Sequence, residues 1–226
     1  MDNSKQSGSL GKALLLLSVL FAIAFWVSIY FQPVPGSPVL KWFPVGLLSL
    51  YMFLGPKSKQ RWALALGLFF HSVGDVILDF KQENLFLVAV GGFLIGHLCY
   101  IVMLLPDVRR GVEWTKGKVG FLLGILGYAV LIGWILLPKL EPPGMIPPLA
   151  VYMVAIAAMV VLTVLPGYRG KWITVGALLY MGSDTLIAYN QFVSHVPGSH
   201  YITWPAYYGG QALIMIGFLR EKSLSS

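Results

Sequence analysis

Apolar runs take up nearly the whole chain. They fall near residues 13–31, 38–54, 62–80, 85–105, 118–138, 147–166, 172–191 and 203–219. A helix of about 20 residues, rising about 1.5 Å per residue, crosses a hydrocarbon core about 30 Å thick. In lipid, every backbone N–H and C=O needs an internal partner, and a helix supplies one within each run. The pattern predicts an all-α polytopic membrane protein with about eight transmembrane helices, forming one membrane domain over residues 1–226. The second run is short and is interrupted by Lys41 and Pro44.

Composition excludes the soluble alternatives. Only 11% of residues are charged and 57% are hydrophobic, whereas a soluble domain carries about 25% charged residues. The net charge of +7 reads as topology rather than nucleic-acid binding. Lys5, Lys12, Lys57, Lys59, Arg61, Arg109, Arg110, Lys116, Lys118, Arg169, Lys171, Arg220 and Lys222 fall on one side of the predicted membrane. Lys41, Lys81 and Lys139 fall on the other. The positive-inside rule then puts both termini in the cytoplasm, in a bacterial inner membrane or a eukaryotic internal one. The run from Ala13 to Phe31 is long for a signal peptide, and Tyr30-Phe31-Gln32-Pro33 is too bulky for a cleavage site. It reads as a retained first helix. The single cysteine, Cys99, can build neither an intrachain disulfide nor a zinc cluster. Walker, GxGxxG and HExxH patterns are absent.

Two segments echo each other. His71-Ser-Val-Gly-Asp75 lies in the third run and Tyr180-Met-Gly-Ser-Asp184 in the seventh. A four-plus-four parallel repeat would produce this. Ionisable groups inside a bilayer cost several kcal/mol and mark function. Asp75 and Asp184 each lie roughly 13 residues into their helices from the same side, about 20 Å deep. Two carboxyls at one depth form a candidate pair. His71, Asp75 and Asp79 share one face at i, i+4 and i+8, with Asp79 expected near solvent. His97 and Tyr100 share a face of the fourth helix, and Tyr207 and Tyr208 lie one turn before Gln211 on the eighth. Tyr152, Asn190 and Lys41 complete the polar set. Lys41 is read either as snorkelling to the interface or as a substrate contact. Helices two, three, four, six, seven and eight are expected to supply one polar cavity, with one and five as outer wall.

These residues resemble the YhhN-like family of eight-helix membrane proteins, which includes the lysoplasmalogenases. The resemblance runs in order through Lys41-Trp-Phe-Pro44, Gly74-Asp75, His97-Leu-Cys-Tyr100 and Tyr152. It continues through Ser183-Asp184-Thr-Leu-Ile-Ala-Tyr-Asn190-Gln-Phe192 and Tyr207-Tyr208-Gly-Gly-Gln211. It implies hydrolysis of the vinyl-ether bond of a lysoplasmalogen to a fatty aldehyde and glycerophosphoethanolamine or glycerophosphocholine, without a cofactor. Its partners would be that lysophospholipid and the bilayer, not nucleic acid. Vinyl-ether hydrolysis needs a proton donor to carbon and a carboxylate beside an oxocarbenium-like cation, as in glycoside hydrolysis. Asp75 and Asp184 are the candidate acid and base. Lys41, His97, Tyr100, Tyr152, Asn190, Tyr207, Tyr208 and Gln211 are candidates for substrate binding or for tuning the carboxyls.

Two other functions fit the same residues. Buried carboxylates and a repeat would suit a proton-coupled transporter of a small molecule or lipid. A non-catalytic lysolipid-binding protein would keep the pocket without the chemistry. An intramembrane aspartyl protease fits poorly: Ser72-Val-Gly-Asp75 lacks the first glycine of GxGD, and the YD and PAL motifs are missing.

Overall fold

A computed structural model describes the backbone of residues 3–31, 33–80 and 82–224, with side chains at all of these but 3–8, 83 and 84. Gln32 and Lys81, and the side chain of Lys5, therefore lie outside the described residues. Among the described residues eight α-helices run in order: α1 (Asn3–Ser28), α2 (Ser37–Leu54), α3 (Lys59–Asp79), α4 (Glu83–Val108), α5 (Lys116–Leu136), α6 (Ile146–Leu162), α7 (Trp172–Phe192) and α8 (Ser199–Ser223). Among the described residues there is no strand.

Six of these helices, α1 to α6, are long and apolar enough to cross a membrane. α7 and α8 have the length without the same apolar density. They carry Thr174, Ser183, Asp184, Thr185, Asn190 and Gln211, the polar groups that mark a candidate site. Several bounds differ from the apolar runs. α4 continues past Pro106 to Val108, so it carries that proline in its last turn and forgoes one backbone N–H bond there. α8 starts at Ser199 rather than near 203. Gly198 takes a left-handed φ of 74° just before it, and Thr203 Oγ1 donates to the Ser199 carbonyl at 2.8 Å.

The chain divides into two compact units, Met1–Cys99 and Tyr100–Ser226, the boundary falling inside α4. In the first unit α2 packs against both α1 and α3. Ser18 Oγ donates to the Pro44 carbonyl at 2.7 Å, and Ser49 Oγ to the Ala65 carbonyl at 2.8 Å. Ser58 caps α3 by accepting from Arg61 N–H. The Arg61 side chain turns back and donates to the Met52 and Tyr51 carbonyls at 2.8 and 3.2 Å. It thereby satisfies carbonyls that the end of α2 leaves open. α3 and the first part of α4 approach through Gly74 and Gly92: a Cβ on Gly92 would lie 3.4 Å from the Gly74 Cα.

In the second unit α7 and α8 form the most extensive pairing. Their backbones nearly touch. A Cβ on Gly210 would sit 2.7 Å from the Gly176 carbonyl oxygen, and one on Gly176 would sit 2.6 Å from that of Gly210. Small residues at helix crossings let dispersion and close polar contact act where lipid offers no hydrophobic drive. α5, capped by Thr115, leaves Leu123, Leu126, Val130 and Trp134 exposed, the outward face expected for a helix bordering lipid.

A charged knot ties the last turn of α4, the α6–α7 turn and the end of α8. Asp107 accepts from Lys222 Nζ at 2.9 and 3.1 Å, faces Arg110 at 3.4 Å and accepts from Tyr168 OH at 2.9 Å. Glu221 accepts from the backbone N–H groups of Gly170 and Arg169 at 2.8 and 3.2 Å. Burial, followed by the neighbouring Asp107 charge, raises the Tyr168 phenol well above its ordinary range.

Candidate active site

Each unit carries one of the two carboxyls within a helix, Asp75 buried one turn before the end of α3 and Asp184 half-buried within α7. Asp75 on α3 is 3% exposed. The Lys41 ammonium, from α2, lies 3.7 Å from its Oδ1. Lys41 also stands over the Phe25 ring at 5.9 Å. Its charge is thus turned onto Asp75. One helical turn earlier is His71, fully buried, and His97 on α4 packs its ring 5.0 Å from that of His71. The approach is close because Gly96 sits beside His71: a Cβ there would lie 2.5 Å from Nε2. Asp79 is half-buried and accepts from Ser37 Oγ at 2.6 Å. It is thus spent on joining α3 to the start of α2 rather than left to solvent.

In the second unit, Asp184 on α7 is half-buried and accepts from Tyr152 OH on α6. Thr185, next in sequence, accepts from Tyr128 OH of α5 at 2.7 Å. Tyr180, one turn before Asp184, is fully buried, and its ring centroid lies 5.3 Å from that of Tyr207 on α8. Trp204 lies between Tyr207 and Tyr208, its centroid 5.8 and 6.4 Å from theirs. Gln211 is fully buried and its Oε1 accepts from Tyr100 OH. Ser183 Oγ donates to the Thr203 carbonyl at 3.0 Å, fixing the α7–α8 register beside Asp184.

The structure thus joins Lys41 with Asp75, Tyr152 with Asp184, and Tyr100 with Gln211. His97 meets His71, and Tyr207 and Tyr208 join an aromatic cluster. Asn190 stands elsewhere in its unit. Its Nδ2 donates to the Leu186 carbonyl and Ser199 Oγ at 2.7 and 3.1 Å, and its Oδ1 accepts from Val196 N–H at 2.7 Å. Those bonds brace the α7–α8 turn. Sequence reading passed over Tyr180 as a site neighbour and left His71 open as a packing residue. Their i−4 offset from an aspartate was the available signal, since residues four apart share a helix face. Among the described residues, no group of three or more His, Cys, Asp or Glu could hold a metal ion.

Apolar helices that carry a carboxyl in each unit, each met by a polar side chain from the preceding helix, are those of an integral membrane protein. A profile of the YhhN family matches residues 36–218, most of the chain, and the protein belongs to that family. A lysoplasmalogenase of Mycobacterium bovis is 29% identical over 184 residues, covering 80% of this chain and 70% of the relative. The rat lysoplasmalogenase TMEM86B is 28% identical over 200 residues, covering 86% of this chain and 78% of the relative. The human lysoplasmalogenase TMEM86B is 27% identical over 190 residues, covering 82% and 76%. No solved structure matches.

Proposed function

We propose that this protein is a lysoplasmalogenase. It would hydrolyse the vinyl-ether bond of lysoplasmenyl-ethanolamine or -choline, with Asp75 and Asp184 as an acid–base pair in which either residue can take either part. The observation that carries this reading is the presence of two intrahelical carboxyls, each given a polar partner, in a chain whose relatives bear that name. Fold alone does not carry chemistry; the carboxyl placements suit the reaction independently.

The steps balance as follows. A carboxylic acid gives its proton to the β-carbon of R–CH=CH–O–R′, leaving the cation R–CH2–CH=O⁺–R′. A carboxylate stabilises that cation and takes a proton from water as the water oxygen bonds to the cationic carbon. The hemiacetal R–CH2–CH(OH)–O–R′ then collapses to R–CH2–CHO and HO–R′. Holding charge and water in a poorly solvated interior strengthens each of these contacts. In this reading Lys41 supports Asp75 as a point charge, and Tyr152 orients Asp184. Tyr100, Gln211, Tyr207 and Tyr208 line the path of substrate or water, and the single acyl-like tail lies among apolar side chains. Asn190 supports the site through the turn it braces.

The same proposal includes eight membrane-spanning helices in a four-plus-four parallel repeat, with both termini cytoplasmic. α7 and α8 would cross the membrane despite their polarity because it faces other helices. Protease protection of terminal tags in sealed vesicles tests the orientation.

The defining experiment supplies 1-alkenyl lysophosphatidylethanolamine to the detergent-purified protein and follows fatty aldehyde, with an acyl lysophospholipid as the bond-type control. The wild type releases aldehyde from the alkenyl lipid alone. In D2O that aldehyde carries one deuterium at its α-carbon. Asp75→Asn and Asp184→Asn each lose about 100-fold or more while eluting as folded protein. Full activity in either variant removes that residue from the mechanism. Folded wild type that binds the lipid but releases no aldehyde makes the protein a lysolipid carrier or binder instead.

A further inference from the structure

Two imidazoles are fully buried in the first unit, on α3 and α4, with ring centroids 5.0 Å apart and planes at 64°. Burying either ring in a lipid-facing bundle is costly unless its N–H and its lone pair are both used. The sequence nevertheless commits several positions to holding the two together. Gly96 leaves room for His71 where even a methyl group would intrude, Gly74 leaves room for the Phe93 ring, and Phe93 in turn lies 6.0 Å from His71. Each of these glycines forgoes about 1 kcal/mol of helix propensity relative to alanine. A pair that served only to fill space would be built more cheaply from leucine.

His71 also lies one turn before Asp75 on the same face of α3, a spacing that brings Cβ atoms to about 5–6 Å. The charged and titratable groups facing this region are Lys41 from α2, Asp75 from α3 and His97 from α4, while α1 contributes the Phe25 ring. From these placements we infer that His71 and His97 form a two-imidazole relay that clears protons from Asp75 between turnovers.

The inference rests on the reading of Asp75 as a catalytic carboxyl. Asp75 takes a proton from the attacking water and hands it to a nitrogen of His71, which releases the proton on its other nitrogen to His97. His97 passes on its own N–H proton towards water. Each ring accepts one proton and loses one, so the pair ends with unchanged charge and the opposite tautomer, which proton exchange returns to the starting one before the next turnover. The spent acid elsewhere recovers one proton from water, and the cycle closes without an added reactant. Both histidines act through Asp75 and are positioning residues rather than catalytic ones.

Chemical rescue tests this. His71→Ala lowers kcat about 10-fold or more with little change in KM, because the lipid is not held by the ring. Added imidazole restores kcat; added pyrazole, of the same size but far less basic, does not. Where His71→Ala does not elute as folded protein, His97→Ala opens the same space from α4 and takes the same test. Asp75→Asn is assayed alongside, and imidazole leaves it inactive. Repair by pyrazole as effective as by imidazole, no repair by either, or wild-type kcat in the alanine variant overturns the relay. Activity in Asp75→Asn instead overturns the reading of Asp75, so the two failures are distinguishable.

Discussion

The surroundings of Asp75 and Asp184 follow one plan with different chemistry. In both, the aspartate's partner comes from the preceding helix: Lys41 of α2 in one, Tyr152 of α6 in the other. An aromatic ring lies one turn before the aspartate and meets a second ring from the following helix. These rings are His71 and His97 in the first unit, Tyr180 and Tyr207 in the second. Glycines bring α3 against α4 and α7 against α8. The first unit fills the plan with an ammonium and imidazoles, whereas the second fills it with phenols and an amide. Full charge in the second unit collects instead at the helix ends, around Asp107 and Lys222. The parallel extends the echo between His71–Asp75 and Tyr180–Asp184 to the helices that flank them. It also teaches that a carboxyl can be kept in an apolar helix by a countercharge or by a neutral donor. Those two solutions respond differently to substitution.

The contrast is tested most strongly at Lys41. Lys41→Met leaves a carboxyl that is 3% exposed without its countercharge, a change that costs about 3–5 kcal/mol when a buried pair is broken. Denaturation in detergent should show that loss, and adding Asp75→Asn should recover most of it. A loss no larger than that from Tyr152→Phe would erase the distinction between the units.

Gly210→Ala is next. Its methyl would meet the Gly176 carbonyl at 2.7 Å, and backbone cannot yield cheaply. Overpacking of this kind costs about 1–3 kcal/mol, measured as a lower melting temperature. Gly96→Ala pushes on the His71 ring instead, so its larger effect should be on turnover.

The knot at the end of the second unit gives a pH signature. Tyr168 has its folded pKa raised above the ordinary value of 10.0. The native state then holds a proton that the unfolded chain releases. Stability from this source is complete below pH 10 and falls as pH rises further, by at most about 1.4 kcal/mol per pH unit. Comparing alkaline unfolding of the wild type and Tyr168→Phe isolates it: the variant should lose that part of the slope. The smallest effect is expected from Tyr152→Phe, which removes one hydrogen bond from a half-buried carboxyl. It should cost about 1 kcal/mol of stability while slowing aldehyde release.

Much of this was legible in order along the chain. The eight apolar runs predicted eight helices, and most bounds agree within a few residues. The misses have local causes. The fourth run ended at residue 105, before Pro106, but α4 carries that proline and continues to Val108. The start of α8 was placed late because Ser199, His200 and Tyr201 are polar, although Gly198 marks the turn before them. Asn190 was picked out for its polarity, and the structure spends that polarity on a turn.

The sequence by itself determined the solvent, the helices and the carboxyl positions, because hydropathy and a 3.6-residue period act within one segment. Only the tertiary structure decided that Lys41 faces Asp75, that Tyr152 faces Asp184, and that His71 has an imidazole neighbour. A helix period specifies which residues share a face but says nothing of what that face will meet. That depends on how closely neighbouring backbones can approach, and here glycines with no Cβ to hold them apart set the distance.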